Sequence, residues 1–459
     1  MFKNFFTYPV FLVLFLSFIG TMGFGAVVKY HYDGGEKYQF LQNIAVTITE
    51  IPLNAMNIIK HKSISGDVVI PINDTIYENL KVFDKKLSTT PPKNLILISR
   101  HDGDLGRSIV EIRDLNTFEV LHSYKPNIEE IYKKIDLSKD RFKNLKRDKG
   151  VNRFYIWHPS ITNKGELIFH SSSPLIKIDF NSNVVWVNNE DIFTHSTNLD
   201  DEGNIYVPSR LQPYSKLVSD YVGLNTATEK YDFYDFADDA INILDKNGKI
   251  LFSKSVTEIL IEHGYLNRIF SQQSHKTDPV HLNDIQPVLK DMKYFKKGDI
   301  FLSLRNLSMV ILYRPSTNKI IKIIEGEFYN QHDVDIIDES RISIYNNNVF
   351  LNYKDKRIVK NNEIVIYNFE TNSFSKKFEK TFIENEINSH SHGLVDFLQD
   401  GSAIVEDRNN GRIFYLSSEG EVIWIFNNLN SKKQIYDLWW ARVIDVNKSK
   451  KIRQLIKND

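Results

Sequence analysis

The stretch His158–Val187, HPSITNKGELIFHSSSPLIKIDFNSNVVWV, decides how the chain is read. Two short runs rich in β-branched and aromatic residues flank the turn TNKGE, and two more flank FNSN. Such side chains suit a pleated, half-buried surface, and Gly, Asn and Asp mark the places where the chain reverses. Strand, turn, strand, linker, strand, turn, strand is the plan of one four-stranded propeller blade.

The same plan recurs outward from this unit. Turn signals stand between strand-like runs at DDEGN (Asp200), DKNGK (Asp245), QDGS (Gln399) and SSEGE (Ser417). DDEGN has the look of a calcium loop, but it lacks the glutamate such a loop needs downstream and matches its hairpin siblings, so it reads as a turn. Six units follow: about Asn94–Pro126, His158–Val187, His195–Lys254, His281–Glu325, His332–Glu379 and His392–Phe426. A further run, YDLWWARVIDV from Tyr436 to Val446, is expected to complete a blade begun near Gly66–Ile72 and so close the ring. The third unit carries an insertion with an aromatic and acidic part around Tyr231–Asp239, either a surface excursion or a wall of the site. Asn127–Lys149 and Val256–Thr277 read as helical connectors. The expected fold is all-β, a six-bladed β-propeller preceded by an N-terminal transmembrane or signal helix and a short helical stalk.

Bulk properties exclude several functions. The 459 residues carry 58 Lys and Arg against 58 Asp and Glu, so no basic surplus invites nucleic acid. Cysteine is absent, which removes thiolate catalysis, disulfides, iron–sulfur clusters and Cys-ligated zinc. Tyr8–Val28, YPVFLVLFLSFIGTMGFGAVV, has no charged side chain and approaches the roughly 20 apolar residues that span a bilayer. A signal peptide is the other reading, and both export the remaining chain. The apolar spacing in Glu36–Lys62, interrupted by Pro52, predicts a stalk or packing helix. Residues 1–28 are thus expected to be the anchor or signal, 29–65 the stalk or linker and 66–459 the catalytic propeller.

Five of the 13 histidines open predicted units: His158, His195, His281, His332 and His392. Blades are related by rotation about a central channel, so residues at equivalent ends of innermost strands converge on the axis. One such histidine could simply bond a neighbouring blade; the repetition is what argues for a site. Strict alternation would put His332, Val334 and Ile336 on one strand face, with Asp333 and Asp335 on the other. Converging imidazoles could bind a metal, with His390 and His392 as a ligand pair, exchange protons near neutral pH, or supply a nucleophile. Arg305, on the return strand of the His281 hairpin, favours the third, because a guanidinium suits a sulfate or phosphate oxygen pair.

The layout from Asn94 to Val446 resembles the bacterial arylsulfotransferases, which need no nucleotide sulfate donor. The likeness is sharpest in HLNDIQPVLKDMKYFKKGDIFLSLRNLSMVILYRPSTNKII, from His281, and in QHDVDIID around His332. The resemblance implies that His332 accepts the sulfuryl group as sulfohistidine and that His281, Asn283 and Arg305 hold sulfate oxygens. It also implies His195 as acid or base to the phenolic oxygen, although its segment lacks the family's fuller His-Asp motif. His158 is the alternative third histidine, and His392 lines the same site. A periplasmic enzyme at the inner membrane is implied, using an aryl sulfate donor and a phenolic acceptor and no cofactor, with a homodimer left open. Two other classes stay in view: a non-catalytic exported propeller that binds a ligand or protein, and a metal-dependent propeller lyase or hydrolase.

Overall fold

The computed structural model describes residues 7–32, 71–73, 75–88, 92–136, 151, 154–171, 173–222, 236–271, 275, 277–352 and 356–458. The chain divides into two units, Met1–Val68 and Val69–Asp459. In the first, Thr7–Tyr32 is one helix whose window Leu12–Lys29 has a mean hydropathy of 1.9, long and apolar enough to cross a membrane. The stalk expected over Glu36–Lys62 lies outside the described residues.

The second unit is a ring of six antiparallel blades, named here I to VI. Blade II holds Trp157–Ile161, Leu167–His170, Leu175–Ile178 and Val184–Asn188, the four strands expected of the opening stretch. Blade III is Asn198–Leu199, Ile205–Arg210, Asp239–Leu244 and Ile250–Ser255, and blade IV is Leu282–Pro287, Ile300–Leu304, Met309–Arg314 and Lys319–Ile324. Blade V contains His332–Ile336, Arg341–Asn346, Glu363–Asn368 and Ser373–Lys377, and blade VI Leu394–Phe397, Ala403–Asp407, Arg412–Leu416 and Val422–Asn427. In DDEGN, both carboxylate oxygens of Asp200 are spent inside the turn, on the N–H groups of Glu202 and Asn204 and the Asn204 amide, and Gly203 has φ +84°. It is a hairpin turn closed by its own aspartate.

Ring closure differs from the expectation. Leu438–Ile444 pairs with Leu95–Asp102, from Leu95 opposite Ile444 to Arg100 opposite Leu438, and becomes the inner strand of blade I. The reason is supply and demand: the stretch from Asn94 to Pro126 contributes only Leu95–Asp102, Arg107–Asp114 and Val120–Tyr124, so the inner edge of blade I would be bare. Residues 66–70 lie outside the described set, and Ile72 gives only an N–H to the Ile435 carbonyl, at 2.8 Å. Phe83–Lys85 adds a fifth, outer strand to blade VI.

Period-two alternation then builds the core. Leu95 and Leu97 face blade II, packing with Leu167 and Phe169, while Ile96 and Ile98 face blade VI, packing with Ile404 and Ile413. Each pair of adjacent blades encloses such a cluster, and each fully buried aliphatic side chain contributes about 1.5–3 kcal/mol. The helical connectors are present as Ile128–Lys133, capped by Asn127, and Val256–Glu262, capped by Ser255, followed by Leu266–Phe270. The insertion in blade III contains Lys216–Val222, and its part from 223 to 235 lies outside the described residues.

Candidate active site

The inner strands of blades II to VI enter the channel through corners, and these corners carry the histidines. His158, His195, His281 and His392 have left-handed backbones, with φ of 42, 56, 53 and 58°; in blade V the left-handed residue is Asp333, at 49°. Such angles are uncommon outside glycine and concentrate where surrounding structure holds them for a purpose. An extra residue also interrupts the pairing at His158–Pro159, Asn283, Asp333 and Trp439. A bulge bends a strand and re-aims its side chains. Strict alternation therefore fails at His332: Val334 joins the core between blades IV and V, and the bulge at Asp333 lets the imidazole meet His392 of blade VI.

The aspartates of these segments tie the ring together. Asp239 accepts the Leu282 N–H at 2.8 Å, Asp284 that of Val334 at 2.9 Å, Asp333 that of Val395 at 3.0 Å and Asp396 that of Val443 at 2.7 Å. Each blade from III to VI thus holds the inner strand of the next. Arg442, from blade I, spans the channel to Asp333 and to Asp335, the latter at 2.6 Å.

All five predicted histidines meet. His332 stacks on His392 with ring centres 5.5 Å apart; His392 lies 5.7 Å from His158 and 6.5 Å from His195; His195 lies 4.8 Å from His281. A cavity of about 260 Å³ is walled by His158, His195, His281 and His392, with Trp157, Phe193 and Arg210. His332, Asn283 and Arg305 are not part of that wall. His390 makes none of these ring contacts, and among the described residues no group of three or more His, Asp or Glu is placed to hold a metal ion.

His332 is oriented by its neighbours. The Asn347 amide nitrogen donates to the carbonyls of Ser389 and His392, so its oxygen is left to accept the His332 Nδ1–H at 2.6 Å. Nε2 therefore carries the lone pair, and it accepts the His392 backbone N–H at 3.2 Å. Burial and then the nearby Arg305 charge hold this imidazole well below its usual range, so it is neutral at physiological pH. Burial does the same to His158, His195 and His392. Asn283 donates to the Gln331 carbonyl at 2.8 Å while its own buried oxygen has no partner. The return strand ends at Leu304, one residue short of the expectation, and Arg305 opens the 3-10 turn that follows, its backbone N–H donating to the His281 carbonyl at 3.0 Å. Burial and then Arg357 lower its affinity for a proton to about 10, and among the described residues no carboxylate lies within ion-pair distance of it.

Several residues escaped the sequence reading. Trp157 stacks on His392 at 5.3 Å, and the His170 Nε2–H donates to the His195 carbonyl at 2.8 Å. Trp157 adjoins His158 in sequence, a signal that was there to use; His170 ends a second strand and gave none. Burial pushes the His170 imidazole down to about 4. A lowered base contributes stability that is complete above its unfolded value of about 6.5 and lost as pH falls through 4. His170→Asn should therefore flatten the acid side of the stability curve by on the order of 3 kcal/mol, measured by urea unfolding between pH 7 and 4. An unchanged slope would show that His170 titrates freely.

No curated protein matches the chain. Among solved structures, a protein of unknown function from Bacteroides caccae is 13% identical with a TM-score of 0.44, covering 76% of this chain and 98% of its own. The Pan2 WD40 domain of Neurospora crassa is 10% identical with a TM-score of 0.37, covering 72% and 76%. Virginiamycin B lyase from Staphylococcus aureus is 10% identical with a TM-score of 0.34, covering 59% and 69%. The family model described as Arylsulfotransferase (ASST) matches residues 160–429, from the first strand of blade II through blade VI, which takes in more than half of the chain and all the histidine corners but that of His158. With the propeller and its axial histidines in place, this match makes the chain a member of the arylsulfotransferase family.

Proposed function

We propose that the propeller moves a sulfuryl group from an aryl sulfate to a phenol through a covalent sulfohistidine at His332. The observation that supports this is a neutral imidazole whose Nε2 lone pair meets only one backbone donor, near an arginine with no carboxylate in direct ion-pair contact among the described residues. An oriented nitrogen next to a fixed cation suits attack on an anionic sulfur centre. Nε2 leaves the His392 N–H and bonds to sulfur as the S–O bond to the departing phenol breaks. Arg305 and Asn283 hold the non-bridging oxygens, the latter through its amide nitrogen. A second phenol then takes the sulfuryl group from nitrogen and frees the imidazole. Phenolic rings rest against Trp157 and Phe193 in the cavity.

The helix Thr7–Tyr32 tethers or exports this domain, so residues 66–459 work on the periplasmic side, residues 1–28 hold the membrane and 29–65 link the two. The test is to incubate the full chain with 4-nitrophenyl sulfate, with and without phenol. Nitrophenol release that depends on phenol, with phenyl sulfate formed in equal amount, is expected. No release across a panel of phenols would leave a non-catalytic binding propeller.

A further inference from the structure

Asp278 stands beside the cavity and has no part in the reaction as described so far. Its Oδ2 lies 2.6 Å from Nδ1 of His281. Three hydrogen bonds hold the pair: Arg210, on the second strand of blade III, donates to the same carboxylate at 3.3 Å; the Asn306 amide donates to the Asp278 carbonyl at 2.6 Å; and the Arg305 backbone N–H pins the His281 carbonyl at 3.0 Å. His281 itself walls the cavity, from a left-handed backbone at φ 53°. Among the described residues no other cavity histidine has a carboxylate on its ring. Burial works against ionisation of Asp278, but His281, then Arg210 and Arg305, outweigh it and bring the carboxyl to about 2.

We propose that Asp278 is a positioning residue that fixes the Nδ1–H of His281, so that Nε2 of His281 exchanges the phenolic proton. The proposal rests on the sulfuryl-transfer reading, and gives to His281 the proton role that the family resemblance suggested for His195. A carboxylate that accepts Nδ1–H fixes the tautomer and stabilises the imidazolium when it forms. The protons balance. In the first half-reaction His281, as imidazolium, gives its Nε2 proton to the bridging oxygen while the S–O bond breaks and His332 bonds to sulfur, so the donor leaves as a neutral phenol. In the second, neutral His281 takes the hydroxyl proton of the acceptor as its oxygen attacks sulfur and the N–S bond breaks. The cycle ends with His281 protonated again and His332 neutral. The charged and titratable groups facing His281 are Asp278, Arg305 and Arg210, with His195, His275 and His332.

The test compares two donors in the wild type, Asp278→Asn and Asp278→Glu. Phenyl sulfate must expel an oxygen whose conjugate acid has a pKa of about 10, and so needs the proton. 4-Nitrophenyl sulfate expels a far weaker base and needs it little. Asp278→Asn is expected to slow the first half-reaction, read as single-turnover release of the donor's phenol before any acceptor is added, by roughly 10²-fold or more with phenyl sulfate and only several-fold with 4-nitrophenyl sulfate, with donor affinity little changed. Asp278→Glu should recover part of the loss. Equal losses on both donors would mean a structural role only and overturn the proposal. Side-chain ¹⁵N spectra of histidine-labelled protein give a readout independent of turnover. Neutral His281 should carry its proton on Nδ1 in the wild type and become a mixture of tautomers in Asp278→Asn, whereas unchanged spectra would overturn the positioning role. If the wild type turns over neither donor, the sulfuryl-transfer reading fails, and the proton role of His281 with it, while the spectra still decide whether Asp278 sets the tautomer.

Discussion

His332→Asn is expected to cost at least about 10⁴-fold in aryl sulfate turnover while leaving the fold intact. The asparagine amide stands where Nδ1 does and still donates an N–H to Asn347, the partner at 2.6 Å in the native protein, so only the His392 N–H, 3.2 Å from Nε2, loses its acceptor. What it lacks is a nitrogen lone pair able to bond to sulfur. The measurement is nitrophenol release from 4-nitrophenyl sulfate, with unfolding midpoints compared alongside. The wild type, quenched in alkali with donor alone, should carry a sulfuryl group on the His332 peptide. A variant that keeps a tenth of the activity, or a sulfuryl group found on another residue, would remove His332 from the nucleophile's place. The pH dependence carries the same argument: burial and Arg305 hold His332 well below its usual range, so its nucleophilicity should not decline as pH falls from 7 to 6.

Much of the propeller was legible because its information is local. A turn such as DDEGN is closed by the side chain of its own aspartate, and alternation over a strand shows which residues pair with a core. The recurrence of His at unit starts revealed the axial site for the same reason: rotation symmetry converts a repeated local position into a meeting point. Closure was not legible. The run at Tyr436–Val446 reads as a strand, but its partner Leu95–Asp102 lies at the other end of the fold, and nothing local in either run names the other. The tie from Asp278 to His281 sits just ahead of the predicted strand, in a corner whose shape depends on Arg210 from the preceding blade. Strict alternation also hid the role of Asp333, because a bulge cannot be seen in a run of alternating residues that happens to include it.

Arg442 shows why that aspartate matters, and Arg442→Met is expected to lose about 3–5 kcal/mol at neutral pH, the usual consequence of leaving a buried charge without its partner. The guanidinium joins Asp333 and Asp335 of blade V across the channel and lies 4.6 Å from the Trp440 ring. Burial raises Asp333, Asp284 and Asp396, the last two to about 6, and Arg442 acts against that rise on all three. Without the arginine these carboxyls should be protonated more readily in the folded state. A carboxyl raised above its unfolded value contributes stability that is present below that value and lost as pH rises through the folded one. The deficit of Arg442→Met should therefore shrink as pH is lowered from 7.5 towards 5. Adding Asp333→Asn and Asp335→Asn to Arg442→Met should recover part of it at pH 7.5, because the uncompensated charges are then gone. Guanidinium unfolding at the two pH values decides the matter: a deficit independent of pH, unrelieved by the neutral asparagines, would mean that Arg442 stabilises the ring by packing on Trp440 and not by its charge.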